Sequence, residues 1–153
     1  MYKHIRIKGV INMKEVLSCC LYFTASKLSR IITKMAEEEF NITGLSPMYG
    51  FLLLVVKENP GVSPTDIAKE LNIAPSTITR FVDKLESKGY VERKFEGKYS
   101  YIYLTETGVN LQSDINKAWE RLYHRYSKIL GYDEGNDITK KINEIANNLI
   151  EEY

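Results

Sequence analysis

The stretch SPTDIAKELNIAPSTITRFVDKLESKGYVERK, residues 63–94, carries the signals of two short helices joined by a tight turn. Ser63 followed by Pro64 predicts the first helix start, because a serine oxygen caps free amide groups and a proline at the first helical position gives up an N–H that would have no partner. Apolar residues at helical spacing follow. Asn72, which tolerates the left-handed backbone conformation, is predicted to end this helix.

A second helix start follows at Ala74-Pro75-Ser76, and Gly89 is predicted to end that helix. Apolar residues mark one buried face of this helix, whereas the opposite face carries small hydroxyls and long cations. Two helices joined by a short turn, the second with such an outward face, form the arrangement that places a recognition helix in the major groove of DNA.

Two runs rich in aromatic and β-branched residues, 90–94 and 99–104, come next. The segment Phe95-Glu96-Gly97-Lys98 between them has the length and the glycine of a hairpin loop. These runs therefore predict a β-hairpin wing behind the helix-turn-helix. A further helix is predicted to start in the segment TETG at 105–108.

Three runs of this sequence resemble the MarR family of bacterial and archaeal transcriptional regulators: ITRFVDKLESKGYVERK at 78–94, LTETG at 104–108 and GLSPMYGFLLLV at 44–55. The resemblance covers most of the chain, from about residue 16 to the end. It implies a winged-helix lobe that binds DNA, a helical dimerisation lobe made from both chain ends, and often a response to a small ligand or an oxidant.

The residues predicted to contact DNA are Pro75, Ser76, Thr77, Thr79, Arg80, Lys84, Arg93, Lys98 and Tyr99. Arg80 is the best candidate for reading a base, because arginine makes bidentate contacts to guanine. The alternative for Arg80 is a solvated helix surface on which it pairs with Asp83. Lys84 and Arg93 are predicted to touch phosphates or solvent rather than bases.

The predicted wing departs from the family pattern. Many members carry an Asp-x-Arg or Asp-Arg-Arg element at the wing tip, where arginine enters the minor groove, whereas this chain has a shorter loop with Lys98 and Tyr99. Lysine is a more heavily hydrated point charge than arginine, so we expect weaker minor-groove readout. The helix over 75–88 is then expected to carry more of the specificity.

The amino-acid composition is typical of a soluble globular protein. The chain has 153 residues, 44% apolar and 27% charged, which suits one or two small globular domains. The net charge is only +1, but 74–98 holds six basic against four acidic residues, a modest footprint for DNA binding. No apolar stretch reaches the length of a membrane span and no secretion signal is found, so we expect a cytoplasmic protein without a membrane partner.

Other chemistries have little support in the sequence. Cys19 and Cys20 are adjacent, which implies no disulfide framework. His4 and His124 have no carboxylates at useful spacing, so we expect no metal site. No nucleophile with a base, glycine-rich phosphate loop or carboxylate pair indicates an enzyme, and no cofactor is expected.

The fold class predicted is mainly α with a small β-hairpin wing. Segments 14–44 and 106–153 are predicted to form a helical dimerisation region, with helices over 14–40, 106–130 and 137–150, and 45–105 to form the winged domain. Segment 1–13 is a basic arm, an edge strand or an upstream start choice. Apolar stripes on the terminal helices indicate a two-fold homodimer, which would present two recognition helices to half-sites about 34 Å apart on a palindromic site.

Two modes of regulation follow from the resemblance. Cys19 matches the position of a reactive cysteine in the peroxide-sensing branch of the family, although Thr33 and Gly44 stand about where that branch has tyrosines; the alternative is a buried, small apolar residue. A cleft for a small-molecule effector is predicted from a set of aromatic residues, whose alternative is core packing. That set is Tyr22, Phe23, Phe51, Trp119 and Tyr123.

The function predicted is that of a sequence-specific regulator of transcription on double-stranded DNA, acting as a homodimeric repressor that responds to a ligand or an oxidant. The alternative is a winged-helix module that binds a protein. Strongly salt-dependent DNA binding would favour the first, and exposed aromatic anchors would favour the second.

Overall fold

The computed structural model describes residues 13–152 and confirms a mainly α fold with a two-stranded wing. The chain divides into two compact units, Met1–Met35 and Ala36–Tyr153. The elements are α1 (Met13–Cys19), α2 (Leu21–Phe40), a 3-10 turn (Asn41–Thr43), α3 (Pro47–Glu58), α4 (Pro64–Glu70), α5 (Pro75–Ser87), β1 (Val91–Glu96), β2 (Tyr99–Leu104), α6 (Glu106–Leu130) and α7 (Tyr132–Glu151). The predicted division into dimerisation and winged domains stays a prediction.

The first long helix is interrupted, contrary to the prediction of one helix over 14–40. α1 ends at Cys19 and α2 begins at Leu21. Both the backbone N–H of Thr24 (2.9 Å) and its hydroxyl (3.0 Å) donate to the carbonyl of Cys20. The Cys20 carbonyl thus starts the hydrogen bonding of α2. Apolar periodicity runs through this break, which is why the sequence did not reveal it.

α7 begins at Tyr132, five residues before its predicted start at 137. Gly131 has a φ of 89° and donates its N–H to the Ser127 carbonyl at 2.8 Å, which ends α6. Its own carbonyl accepts from the N–H of Gly135 at 2.9 Å, which starts α7. The backbone of Gly131 therefore ends α6 and starts α7. The acidic residues in the first turn of α7 interact favourably with the positive end of the helix dipole.

The core of the second unit lies around the helix-turn-helix. Large, fully buried apolar side chains come from each α-helix and strand between the end of α2 and the first half of α6: Phe40, Leu52, Leu53, Val56, Ile67, Ile78, Val82, Leu85, Val91, Ile102 and Ile115. The turn follows the sequence signals. Ser63 accepts from the Asp66 N–H at 3.1 Å, and Asn72 adopts the left-handed conformation with a φ of 49°.

The wing hairpin is tighter than predicted. β1 pairs antiparallel with β2 from Val91–Leu104 to Glu96–Tyr99, so Phe95 and Glu96 are strand residues and the loop is Gly97-Lys98. Gly97 has a φ of 59°, as the first central residue of a type II′ turn requires. The predicted four-residue loop was wrong because strand pairing, which lengthens β1, depends on the partner strand.

A short bridge ties the hairpin to the turn before α4. Ile102 donates to the Val62 carbonyl at 3.1 Å and accepts from the Gly61 N–H at 2.9 Å. Ile102 itself is fully buried, so the base of the wing is part of the core. Within residues 13–152, no single helix is long and apolar enough to cross a membrane; one bent pair, Leu21–Thr43 with Pro47–Glu58, passes that test by length and composition only.

Candidate nucleic-acid interface

α5 presents two chemically different faces. Ile78, Val82 and Leu85 are buried in the core, which fixes the rotation of the helix about its axis. The residues then turned to solvent include most of those predicted to contact DNA: Pro75, Ser76, Thr79, Arg80 and Lys84, with Thr77 half-buried. The structure therefore brings these six predicted residues onto one short helix.

Arg80 is unpaired in the part of the chain that the structure describes. It is exposed and forms no ion pair or hydrogen bond with any residue of 13–152. The alternative pairing with Asp83 is not seen, because the Asp83 carboxylate binds Arg93 instead. Thr79 donates its hydroxyl to the Pro75 carbonyl at 3.0 Å, which orients the oxygen while leaving it able to accept a hydrogen bond.

Arg93 lies in an ion-pair cluster with two carboxylates, and its predicted contact with phosphate or solvent stays a prediction. Its guanidinium Nη2 binds Asp83 Oδ1, and its Nε lies 3.6 Å from Glu86 Oε2, beyond hydrogen-bond distance but within reach of an ion pair. Only 19% of the Arg93 side chain is exposed. The structure thus shows the cation engaged with two carboxylates of α5.

The wing tip exposes aromatic rings together with a cation. Tyr99 is 60% exposed, and the Lys98 ammonium lies 5.5 Å from the centre of its ring. Phe95 is 70% exposed and was not among the predicted site residues. The alternation of side chains along β1 is the sequence signal that could have indicated this exposure. Phe95 lies on the same face of the strand as Val91 and Arg93 but beyond the helices that cover those two residues.

The residues predicted for a ligand cleft do not form one cluster within the second unit. Trp119 and Tyr123 stack on α6 with ring centres 5.9 Å apart, whereas Phe51 packs against Phe40 at 6.0 Å. Tyr22 is exposed and Phe23 half-buried, both on α2 within the first unit. The effector cleft stays a prediction.

The Tyr123 ring is the centre of an aromatic group on α6 and α7. Tyr126 and Tyr132 meet it edge-on at 5.7 and 5.9 Å. Burial raises the pKa of the Tyr126 hydroxyl, and the nearby Tyr123 adds to the effect. The Tyr132 hydroxyl lies 3.0 Å from Nδ1 of His124, so this group links the end of α6 to the start of α7.

Cys19 is exposed at the end of α1 in the described single chain, and both readings of this cysteine stay predictions. The Ser18 hydroxyl lies 3.7 Å from its sulfur. Within the described residues, no group of three or more His, Cys, Asp and Glu side chains is placed to hold a metal ion.

The segment that holds most of the residues predicted to contact DNA matches the model of the MarR family over residues 43–98. This segment is a MarR-family domain. It runs from the 3-10 turn through α3, α4 and α5 to the wing loop, and so contains every residue predicted to contact DNA except Tyr99. The resemblance inferred from the sequence is confirmed.

Solved MarR-type structures share the fold beyond that segment. The transcriptional repressor CouR bound to a 23-mer DNA duplex superposes with a TM-score of 0.81 at 23% identity, over 90% of this chain and 99% of that one. CouR from Rhodococcus jostii RHA1 bound to p-coumaroyl-CoA has a TM-score of 0.73 at 25% identity, over 85% and 94%.

Curated relatives match in two ways. The HTH-type transcriptional regulator SarZ of Staphylococcus haemolyticus is 20% identical over 139 residues, covering 89% of this chain and 90% of SarZ. A riboflavin kinase of Pyrococcus abyssi is 30% identical over 69 residues, which are 45% of this chain and 29% of the kinase. The chain spans less than a third of that kinase, and the MarR likeness agrees with the prediction that it is not an enzyme.

Proposed function

We propose that this chain is a sequence-specific transcription regulator of double-stranded DNA, acting as a homodimeric repressor on a palindromic operator. The observation that carries the proposal is Arg80, an exposed and unpaired arginine on a helix whose rotation is fixed by three buried residues. A rigid helix with a free guanidinium is what bidentate readout of guanine needs.

In this mechanism α5 enters the major groove with its N-terminal half toward the bases. Arg80 binds the O6 and N7 acceptors of a guanine, and the hydroxyls of Ser76 and Thr79 bond to base edges or phosphates. Lys84 and Lys98 neutralise phosphates on either side, and these contacts position the domain without reading sequence. Two such domains related by a two-fold axis read two half-sites.

Release from DNA is proposed to follow a change in the separation of the two winged domains. A small-molecule effector bound near the predicted aromatic residues would favour the conformation that fits two half-sites less well. That one repressor, CouR, has been solved both with DNA and with p-coumaroyl-CoA supports an effector-responsive fold of this kind. Oxidation of the exposed Cys19 is the second proposed trigger.

The test is selection of bound fragments from genomic DNA, followed by fluorescence anisotropy of the best fragment across a salt series. Arg80→Ala is compared with Arg121→Ala, which removes an exposed arginine of α6 outside the matched segment. We expect a palindromic site and steep loss of affinity with salt. Arg80→Ala should cost about 1–3 kcal/mol and relax specificity at one position per half-site, with Arg121→Ala near wild type.

A second candidate function is a protein-binding module, which the exposed rings of Phe95 and Tyr99 favour. It predicts no enriched operator and only weak, non-specific DNA binding at low salt. That result for the wild type would contradict the regulator proposal.

A further inference from the structure

Two carboxylates stand on the proposed recognition helix, where acidic groups repel DNA phosphates. Asp83 and Glu86 lie three residues apart on α5, so they share one side of the helix. Both remain partly exposed, with 55% and 40% of their side chains open to solvent. Their presence on a helix that must approach DNA calls for a compensating cation.

Arg93 of β1 supplies that cation. Its guanidinium binds the Asp83 carboxylate and lies beside Glu86, while its backbone N–H donates to Glu86 Oε1 at 3.2 Å. The Arg93 side chain is the least exposed of the three. Side chain and main chain of one wing residue are therefore held by two residues of the recognition helix.

The hairpin geometry makes Arg93 a rigid anchor. Arg93 stands opposite Ile102 in the ladder, and the N–H and carbonyl of Ile102 bond to Val62 and Gly61. Arg93 and Ile102 thus form a pair whose backbone groups point away from each other, which leaves the Arg93 N–H free to reach Glu86. Arginine's planar fork suits two carboxylates in a way that lysine's point charge does not.

We propose that Arg93 is a positioning residue that locks the wing to α5, and that it does not bind phosphate itself. The lock sets the angle between wing and recognition helix, so that Lys98 and Arg80 meet DNA together. This inference rests on the proposed function and deepens it. The proposal predicts an effect of the opposite sign to that of simple charge repulsion. Removing the negative charge of Asp83 should weaken DNA binding, although that charge repels phosphate.

The test is a double-mutant cycle of Asp83→Asn and Arg93→Gln, read by operator affinity across a salt series. We expect each single variant to weaken binding about fivefold and the double variant to be no weaker than the worse single one. In the Lys98→Gln background, which has already lost the wing lysine, Arg93→Gln should leave the salt slope unchanged. Tighter binding by Asp83→Asn would contradict the lock, and a slope reduced by about 0.9 for each Arg93 lost in the Lys98→Gln background would show that Arg93 contacts phosphate; either result overturns the proposal.

Lys98→Gln separates positioning from general loss of structure. In wild type it should weaken binding, whereas in the Arg93→Gln background it should have at most half that effect, because the unlocked wing no longer holds Lys98 on the DNA. All measurements are made well below the unfolding temperature of each variant. An equal effect of Lys98→Gln in both backgrounds would mean that Arg93 does not align the wing.

A measurement without DNA distinguishes the lock from the function on which it rests. In urea unfolding of the free protein, Asp83→Asn should lower the midpoint in wild type and leave it unchanged in the Arg93→Gln background. Equal shifts in the two backgrounds overturn the lock whatever the DNA data show. Coupled shifts in a protein that selects no operator overturn the regulator function, and with it the role of Arg93 in DNA reading.

Discussion

At the scale of single residues, the joint between wing and α6 explains why the run LTETG has its threonine and glycine. The Thr105 hydroxyl accepts from the Gly108 N–H at 3.1 Å and donates to the Gly89 carbonyl at 2.5 Å. The Thr105 N–H donates to the Tyr90 carbonyl at 3.1 Å. That same Tyr90 carbonyl lies against Gly108, where any Cβ would overlap its oxygen. Thr105 therefore caps the start of α6, and Gly108, which has no Cβ, leaves room for the Tyr90 carbonyl against that helix.

Gly108→Ala is therefore expected to destabilise the protein, although alanine is the better helix former. Overlap with a backbone oxygen cannot be relieved by a rotamer change, and overpacking of this kind costs about 1–3 kcal/mol in the free energy of unfolding. Gly135→Ala in α7 is the matched control, because its nearest neighbours stand at 3.8 and 4.0 Å. It should stabilise by about 0.5–1 kcal/mol. Urea unfolding that gives both variants the same sign would contradict this account.

Alkaline pH tests the burial of Tyr126. Burial raises the pKa of its hydroxyl above the ordinary value of 10, so the folded state holds this proton more tightly than the unfolded state does. The stabilisation is present below pH 10 and is lost as pH rises through the higher folded pKa. Tyr126→Phe should consequently lose less stability than wild type as the pH rises above 10, measured by thermal unfolding. Tyr99→Phe, which removes a hydroxyl at the exposed wing tip, is the matched control in the same series.

At the scale of elements, local chemistry made α4 and α5 predictable from sequence. The start of α4 rests on the Ser63 cap and on a proline, the start of α5 on a proline alone, and the end of α4 on Asn72; none of these signals needs a distant partner. The strand status of Phe95 was missed because it depends on pairing with Ser100. The ion pair of Arg93 was not predicted because its partner Asp83 stands ten residues away on another element. The spacing of apolar residues predicted which face of α5 is exposed. Which cation near that face is unpaired depends on ion pairs between residues distant in the sequence, and the spacing does not reveal those.

The wing is expected to add affinity with little specificity. Lys98→Gln should weaken binding to all DNA sequences by a similar factor and lower the salt slope by about 0.9 for each lysine lost, because an ammonium on a phosphate reads charge rather than a base. Anisotropy on the selected operator and on a scrambled duplex measures both effects. Loss confined to the operator would instead indicate that Lys98 reads sequence.

At the scale of the whole molecule, the apolar stripe of α7 is left partly exposed by the residues that the structure describes, 13–152. The described chain leaves Ile138, Ile142, Ile145, Leu149 and Ile150 between 37% and 55% exposed. The first four recur at spacings of four and three, so they form one continuous face of a helix 20 residues long, with Ile150 next to Leu149 at its edge. A contiguous apolar face of this kind marks an interaction site, and a second copy of the chain is the occupant that the proposed homodimer requires.

Charge placed on that face should abolish the dimer. Ile142→Asp buries an unpaired carboxylate if two copies meet there, so sedimentation should show a monomer at concentrations where wild type is a dimer. Asn147→Asp adds the same charge off the stripe and should remain dimeric. The monomer should also lose operator affinity, because each copy then binds its half-site independently. The hydrophobic core of the second unit contains none of the α7 stripe residues, so the thermal unfolding transition of Ile142→Asp should match that of wild type. A dimeric Ile142→Asp protein would place the interface elsewhere, and a monomeric wild type that still selects a palindrome would show that the two copies meet only on DNA.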